Sequence, residues 1–447
     1  MTLWTESKLS LRLALPLMIG QLSQMLLGVA DTLMIGQLGV IELAALTFAS
    51  ALFHIPFVFG IGLLTGVSVV SSNAYGSGDA SKARASCRHG LKLALLIGVG
   101  LAALGWLASY HLGKLGQPPE VAERAPVFFR ILMVSLIPAL ASIALKNHAD
   151  ALQHPWPPFW IFLGGVLLNI VLNWIMIYGH LGCPQLGLEG AAWATLIART
   201  LILVAVFVWL KRARNLAPWV PLQWWRAPTK AMTRRVLVIG LPASAQMFFE
   251  VSAFSVAALM VGRFGSAAMA AHQVALTLAS LSFMVPLGLA MALTVRIGEA
   301  NGADQSQRFR PIAVSGWLLC CLYAGLAAAT MLIWGEPIAA LFSKDPAVIS
   351  LAAMLLAIVG VFQIADGLQV ASCSMLRGLH DARVPALMGL ASYWLVGLPV
   401  AAMLAFLTPL GPQGVWLGLA LGLAVAAGSM GPRLWRRTAP DRAVFLK

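Results

Sequence analysis

A carboxylate in the middle of an apolar stretch is the first feature of this sequence that invites a chemical reading. Glu250 stands in Gln246-Met-Phe-Phe-Glu250-Val-Ser, inside a run from Leu241 to Val261 that is otherwise almost wholly apolar. A helix of that length crosses a hydrocarbon core of about 30 Å at about 1.5 Å per residue, which puts Glu250 near its middle. A charge at that depth costs roughly 2.5 to 3.5 kcal/mol on insertion scales, so such a residue faces a cavity or a partner and serves transport. The competing assignment is a structural acid, protonated and bonded to a neighbouring helix. Asp366, in Phe362-Gln-Ile-Ala-Asp366-Gly-Leu-Gln369, sits comparably deep, 17 residues after Ile349 and 11 before Arg377. Gln363 and Gln369 flank it at three positions on either side and so share its helix face.

A second set of polar residues belongs to the first half of the chain. Asp31 shares a face with Gln24, seven residues before it, and precedes Thr32; standing five residues from Gly36, it is expected to be shallower than Glu250. Asn169 and Asn173 are one turn apart and project together, and Thr195 can join them. Amides in a lipid setting bond across helices or line a polar chamber. Asp31, Gln24, Asn169, Asn173 and Thr195 thus make one candidate cation chamber. Gln246, Glu250, Gln273, Gln363 and Asp366 make another.

The chain lacks other means of driving transport or catalysis. It carries no G-x-x-x-x-G-K-[ST] phosphate loop, no H-E-x-x-H and no cysteine cluster for a metal. His148 and His154, close to Pro155, are expected in a cytoplasmic loop. No catalytic cluster near a membrane interface suggests an enzyme and no cofactor is implied, so transport is expected to run on an ion gradient, of Na⁺ or H⁺.

Those residues need a scaffold, and composition says which kind. Of 447 residues, 60% are hydrophobic and 10% charged, with mean hydropathy +0.85. A soluble globular protein carries about 25% charged residues, so this is a polytopic membrane protein. The formal net charge of +14 does not signal nucleic acid, because the basic residues gather on one predicted side, as the positive-inside rule requires. Five cysteines, of which only Cys183 falls in a predicted outer loop, imply no disulfide framework. Lys8 and Arg12 ahead of Leu13-Ala-Leu-Pro-Leu resemble a signal peptide. Gln21, Ser23 and Gln24 interrupt the apolar run, and no A-x-A-like cleavage site follows, which favours a retained first helix.

Apolar windows predict about twelve spans. In the first half these are Leu13 to Gly36, Ala45 to Val70, Leu91 to Tyr110, Val127 to Leu145, Phe159 to Tyr178 and Ala191 to Leu210. In the second they are Val236 to Gly262, His272 to Val295, Ile312 to Trp334, Ile349 to Met375, Val384 to Leu407 and Val415 to Met430. Basic residues orient the bundle. Lys82, Arg84, Arg88 and Lys92 mark one loop, and Lys211, Arg212, Arg214, Arg226, Lys230, Arg234 and Arg235 mark a long connector. Arg296, Arg308 and Arg310 follow the eighth span, and Arg433, Arg436, Arg437 and Arg442 lie in the tail. With alternating spans all share one side, so both termini are predicted to be cytoplasmic. The connector, with Pro218, Pro221, Pro228 and three tryptophans, reads as a structural linker or an interfacial segment.

A shift of 226 positions superposes Leu15-Pro16 on Leu241-Pro242, Met34-Ile35-Gly36 on Met260-Val261-Gly262, Gly39 on Gly265 and Ala44-Ala45 on Ala270-Ala271. The match resumes at slightly different offsets, with Gly187-Leu-Glu-Gly190 on Gly411-Pro-Gln-Gly414, followed by Trp193 and Trp416. The chain therefore divides into a six-helix lobe over 1–210, a basic connector over 211–235 and a second six-helix lobe over 236–447. Six being even, the lobes insert the same way up, as a parallel repeat able to rock about a central cavity. The acids do not obey the repeat: Glu250 falls on Gln24 and Asp31 on Ala257. That asymmetry points to function, since a structural polar contact would more often survive in both copies.

Ala30-Asp31-Thr-Leu-Met-Ile-Gly36, Phe248-Phe-Glu250-Val, Ala271-His-Gln273-Val, Phe362-Gln-Ile-Ala-Asp366 and Leu376-Arg-Gly378-Leu-His-Asp381 together resemble the multidrug and toxic compound extrusion family, NorM-like branch, over essentially the whole chain. The resemblance implies an all-α integral membrane protein, a V-shaped pair of six-helix lobes related by a parallel pseudo-two-fold. It implies export of small cationic or amphipathic compounds in exchange for Na⁺ or H⁺, by a monomer in the bacterial inner membrane. It further implies that Glu250 and Asp366 bind the coupling cation, with Na⁺ a candidate there, and that Asp31 with Asn169, Asn173 and Thr195 forms a second site. Phe362 departs from the pattern, standing where a tyrosine often contributes to the first site. Two readings compete: a lipid-linked precursor flippase of the same superfamily, expected to show a more cationic cavity, and a major-facilitator-type symporter. The latter's basic G-x-x-x-D-[RK] loop is missing from Tyr75-Gly-Ser-Gly-Asp79-Ala-Ser-Lys82.

Overall fold

The computed structural model describes residues 3–439, which leaves Arg442 of the basic tail outside the described residues. Those residues form twelve helices long and apolar enough to cross a membrane, and no strand. In chain order they are α1 (Leu3–Gly36), α2 (Val40–Gly76), α3 (Ala80–Ser109), α4 (Pro119–Ala151), α5 (Trp156–Tyr178) and α6 (Gly187–Arg212). The second half contributes α7 (Lys230–Gly262), α8 (Ser266–Gly302), α9 (Ser306–Ala340), α10 (Pro346–Gly378), α11 (Arg383–Phe406) and α12 (Pro412–Arg437). Leu96, Val99, Leu104 and Leu107 stand exposed along α3. Water would penalise such an outer face, whereas a bilayer accommodates it, because the helix already satisfies its own backbone.

Most helices outrun their predicted spans. Hydropathy reports only the apolar part, while the ends continue as helix wherever a cap or a packed polar face supports them. Asp79 caps α3 by accepting from the Lys82 N–H at 2.9 Å, so Lys82, Arg84, Arg88 and Lys92, expected in a loop, lie within a helix. Asp345 caps α10 in the same way, from the Ala347 N–H at 2.9 Å. Gly39 and Gly265, superposed by the repeat, precede α2 and α8 with φ of 154° and 97°, a region open to glycine.

His148 and Arg296 differ from expectation in a similar way. His148 is buried within α4, its Nδ1 2.9 Å from Ser71 Oγ and its Nε2 3.2 Å from the Trp219 carbonyl, whereas His154 does lie between helices. Arg296 is buried in α8, where it donates to the Glu6 carboxylate, to the Glu6 carbonyl at 2.6 Å and to Ser10 Oγ at 2.7 Å. All five cysteines are free thiols.

The chain forms two compact units, Met1–Gln21 with Ala245–Lys447 and Leu22–Ser244. The divisions thus fall inside α1 and α7, each a few residues past the repeat-related Pro16 and Pro242. In the unit of Leu22–Ser244 the amino-terminal part of α7 lies against α2. A Cβ on Gly62 would meet the Ser244 backbone at 2.6 Å, and one on Gly240 the Leu63 carbonyl at 2.0 Å. In the other unit the amino-terminal part of α1 lies against α8, where a Cβ on Gly288 would meet the Met18 backbone at 2.6 Å. The shift of 226 carries Gly62 to Gly288 and Met18 to Ser244, so one close helix approach is built twice.

The connector is part of the unit of Leu22–Ser244. Leu216, Val220 and Trp224 enter its core beside Leu91, Leu145 and Leu210, and Trp224 packs on Phe207 at 4.6 Å between ring centroids. Lys92 Nζ donates to the carbonyls of Trp225 and Arg226 at 3.0 and 2.6 Å. The basic stretch 211–235 also includes the end of α6 and the start of α7, so only 213–229 connects them.

Two stability predictions follow from these contacts. Valine at Gly288 or Gly62 must push two backbones apart and should destabilise by about 1–3 kcal/mol or more, as overpacking does. A thermal melt in detergent reads this, and a melt unchanged for both variants would show the approach to be slack. Glu6 is buried and accepts from Arg296 and, at 3.1 Å, from Arg308 Nε. Glu6→Ala should cost about 3–5 kcal/mol by leaving the buried Arg296 unpaired, whereas Lys8→Ala on the same helix should cost little.

Candidate functional site: two buried acidic clusters

The unit of Leu22–Ser244 assembles the first cluster from α1, α5 and α6. Asn173 Nδ2 donates to Asp31 Oδ1 at 2.6 Å, so the amide is ordered by the carboxylate it faces. Asn169, one turn earlier, has two isosteric amide orientations. In one it donates to Thr195 Oγ1 at 3.3 Å and accepts from Asn173 at 3.1 Å. In the other it donates to Asp31 Oδ1 at 3.2 Å and accepts from the Thr195 N–H at 3.2 Å. Either way Asp31, Asn169, Asn173 and Thr195 meet, the two asparagines projecting together from the face that their one-turn spacing sets. Asn169, Asn173 and Thr195 are buried and Asp31 is half-buried. Gln24, half-buried, makes no hydrogen bond to the cluster. Tyr178 fixes α5 against the end of α1 by donating to the Met34 carbonyl at 2.8 Å.

One member of this cluster escaped the sequence reading. Arg199, one turn beyond Thr195 on α6, acts electrostatically on Asp31. Its guanidinium donates to Ser135 Oγ at 2.7 Å and lies over the rings of Phe53 and Phe57 at 5.0 and 5.5 Å. Aromatic faces hold the guanidinium's charge without bulk water, from where it acts on Asp31 without an ion-pair contact. The signal was present, since a lone arginine inside the span Ala191 to Leu210 is as anomalous as an acid.

The second cluster belongs to the other unit and is built on α7, α10 and α11. Glu250 is half-buried, whereas Asp366 is only 6% exposed and its Oδ1 has no hydrogen-bond partner among the described residues. Glu250 acts electrostatically on Asp366, and Arg377 acts on Glu250 from further along α10. Gln246, one turn before Glu250, accepts from Cys373 Sγ at 2.8 Å and joins α7 to α10. Gln363 donates to the Ala279 carbonyl at 3.3 Å, while its Oε1 and that of Gln369 find no donor among the described residues. Gln273, expected here, is exposed and takes no part in these contacts.

Phe362 is buried and stacks on Trp416 at 5.8 Å, so this position offers a ring face and no oxygen. Trp416 Nε1 in turn donates to His272 Nδ1 at 3.2 Å; that nitrogen being an acceptor, the hydrogen of the neutral ring resides on Nε2. Tyr393 is the residue that sequence reading missed. It is 1% exposed, on α11, beside both carboxylates. No periodicity could have found it, because α11 departs from α-helical register over Ala391–Gly397.

Chemically, each cluster gathers oxygen ligands around at least one carboxylate and sets an arginine nearby. Oxygen sets of this kind suit protons and hard cations such as Na⁺ and not soft metals. A larger organic cation can be attracted by the same charge.

Comparison with known proteins adds to this geometry. The MatE family model matches twice, over residues 16–175 and 242–403, and its two starts are the prolines superposed by the internal shift. A probable multidrug resistance protein NorM of Bradyrhizobium diazoefficiens is 35% identical over 426 residues, covering 94% of this chain and 91% of that protein. The multidrug resistance protein PmpM of Pseudomonas aeruginosa is 35% identical over 436 residues, covering 96% and 91%. Among solved structures, a MATE transporter in its bent conformation aligns with a TM-score of 0.89 at 23% identity, over 97% of this chain and 95% of that one. A superfamily transporter from Pyrococcus furiosus, whose binding pocket is described as reversed in polarity, aligns at 0.88 with 22% identity, covering 98% and 97%. With the model matched over both halves and relatives similar along almost their whole length, the chain belongs to the MatE family of membrane transporters.

Proposed function

We propose that this chain is a cation-coupled antiporter that exports small organic cations, with Na⁺ or H⁺ moving inward in exchange and the two acidic clusters alternately open to either side of the membrane. The observation that carries the reading is Asp366, a carboxylate almost wholly withdrawn from solvent, paired with Glu250 inside a span and short of hydrogen-bond donors. Withdrawal from water favours the neutral form of a carboxylate, so such a pair takes up a proton or a cation and releases it when a competing cation arrives. The names of the bacterial relatives, multidrug resistance proteins, favour drug-like substrates for this chain as well.

Magnitudes constrain the exchange. One charge crossing 100 mV supplies about 2.3 kcal/mol, and one pH unit about 1.4 kcal/mol. One proton for one monovalent drug cancels the electrical contribution and leaves roughly tenfold accumulation per pH unit. Two ions per drug would restore the electrical contribution, and three carboxylates are available to carry them.

The expected setting is the bacterial inner membrane, with both termini in the cytoplasm. Support comes from Lys and Arg crowding on every second connection, including the connector pinned by Lys92. Movement of the lobes, taken as 1–210 and 236–447, would then exchange access without unfolding either cluster. Arg199 and Arg377 give the flippase reading more support than the sequence did, since a cationic chamber suits a phosphate-bearing lipid. Against it, carboxylates outnumber guanidiniums across the two clusters.

Everted vesicles with Na⁺ and pH gradients imposed separately test the proposal, using efflux of a cationic dye. Glu250→Gln and Asp366→Asn should each lower gradient-driven efflux by at least tenfold at equal expression, and Asp31→Asn should do so for at least one substrate. Wild-type efflux in all three would remove these residues as coupling sites. Arg199 supplies a separate expectation. If it is the resident counter-charge of Asp31, Arg199→Gln should lower the concentration of driving cation needed for half-maximal efflux by about three- to tenfold, since a competing positive charge is gone. An unchanged half-saturation would make Arg199 a packing residue only.

A further inference from the structure

The end of the connector 213–229 is tied along the first turns of α3. Lys92 Nζ holds the carbonyls of Trp225 and Arg226, and three residues earlier on α3 His89 Nε2 accepts from the Thr229 N–H at 2.7 Å. Lys92 stands where the apolar part of α3 begins, since Leu96 and Val99, the next residues on that side, are exposed. Arg84, Arg88, Lys92 and Leu96 follow at four-residue spacing and share one stripe of the helix, cationic at its start and apolar beyond. At about 1.5 Å per residue, Arg88 lies one turn, about 6 Å, from Lys92 on the side away from the apolar part. Trp225 and Arg226 are thus held at the level where a hydrocarbon core gives way to headgroups.

Apolar groups and positive charge occur together at that level. Trp224 packs into the core, whereas Leu222 and Trp225 are 82% and 78% exposed. Water penalises both side chains, and tryptophan favours the membrane interface. Arg226 is exposed, Arg88 is half-buried, and Arg226 acts electrostatically on Arg88. No acid offsets these like charges from within the two segments, because Ala80 to Lys92 and Lys211 to Arg235 contain neither Asp nor Glu. Asp79, next in sequence, caps α3, and Asp150 is paired with Lys146 at 2.7 Å. Arg88 Nε is withdrawn from solvent and has no hydrogen-bond partner among the described residues. A guanidinium with an unused donor near a second guanidinium suits an oxyanion, and phosphate oxygens match its fork. The exposed apolar pair beside it suits acyl chains. One kind of molecule, a phospholipid of net negative charge, supplies both.

We propose that Arg88, Arg226 and Lys92 form a headgroup site for an anionic phospholipid in the leaflet on the connector's side, with Leu222 and Trp225 inserted beside its acyl chains. The phosphodiester bridges the two guanidiniums. Lys92 spends two of its three N–H bonds on the connector and keeps the third for the headgroup. Leu96 and Val99 continue the stripe along the chains. Free phosphate has no chains to offer, and a zwitterionic lipid cancels its phosphate with its own amine, so neither fits the whole site. Such a site is independent of what drives transport, and its test involves no transport.

Native mass spectrometry of the full-length protein in detergent, titrated with phosphatidylglycerol or with phosphatidylcholine of the same chains, provides the test. Wild type should retain phosphatidylglycerol the more tightly. Arg88→Gln and Arg226→Gln should each weaken its retention roughly fivefold, the usual worth of one basic group at an anionic surface, and leave phosphatidylcholine unchanged. Arg88→Lys combined with Arg226→Lys keeps the charge and should keep the preference. Trp225→Ala should weaken both lipids alike. Equal retention of the two lipids by wild type overturns the site, as does an unchanged preference when both arginines are glutamine. A preference lowered as far by Lys114→Gln, exposed beyond the far end of α3, would trace the effect to net charge and overturn the site as well. Displacement of phosphatidylglycerol by an equal concentration of inorganic phosphate overturns the lipid as occupant. Should the glutamine variants melt below wild type, Trp225→Ala decides alone, since its ring lies outside the core: wild-type affinity for both lipids would then reject the insertion.

Discussion

A carboxylate removed from water must find positive charge or hydrogen-bond donors close by, and this requirement shapes both halves of the molecule. Ionised and unpaired, it would cost several kcal/mol, more than a marginally stable fold tolerates at several positions. The two units meet the requirement differently. Asp31 is served by the Asn173 amide, by Asn169 in one of its orientations, and by the Arg199 guanidinium. Glu250 and Asp366 instead lie in reach of one another's field, with Arg377 acting on one of them and the second left short of donors. The first arrangement is nearly self-sufficient. The second is completed by something that carries positive charge in.

The scaffold beneath these clusters repeats even though the chemistry does not. Gly62 against Ser244 and Gly288 against Met18 are the same approach in two copies, and Gly39 and Gly265 start equivalent helices with the same kind of turn. Helix packing in lipid depends on small residues that let backbones meet, so the repeat survives most clearly at glycines. Asp31, Glu250 and Asp366 are additions to that frame. Because α1 and α7 each run through both compact units, the helices carrying Asp31 and Glu250 are also the helices that tie the units together.

Much of this was legible in the sequence, for physical reasons that also explain what was not. Twelve spans follow from hydropathy because lipid leaves the backbone few alternatives. Asn169 and Asn173 could be paired with each other because a one-turn spacing fixes a shared face, whereas their link to Asp31 was implied by the resemblance. Helix ends were harder, since Lys82 and Arg296 look like loop residues by charge and become helical only through Asp79 and Glu6. Gln273 has the right type and the right helix, but it is exposed and makes no hydrogen bond to the buried acids among the described residues. Arg199 was overlooked because basic residues were read as topology markers, although its place inside a span argued otherwise. Tyr393 could not be placed, because a π turn moves every later side chain off the period that a sequence reading assumes.

The difference in charge between the clusters bears on the proposed antiport. With Arg199 counted, the Asp31 cluster is neutral, and it gains negative charge only when Arg199 withdraws from it. The Glu250 and Asp366 cluster keeps one uncompensated negative charge with Arg377 counted, and so attracts a small ion under all conditions in which both acids are ionised. An ion bound there adds no net positive charge to the interior, which lowers the cost of moving it across the hydrocarbon. On the proposed antiport, with Asp366 almost fully enclosed and Glu250 half-buried, a larger organic cation would compete through the field of Glu250. On the antiport reading, coupling therefore needs no common binding pocket: it needs only that one excess charge be neutralised by one cation at a time.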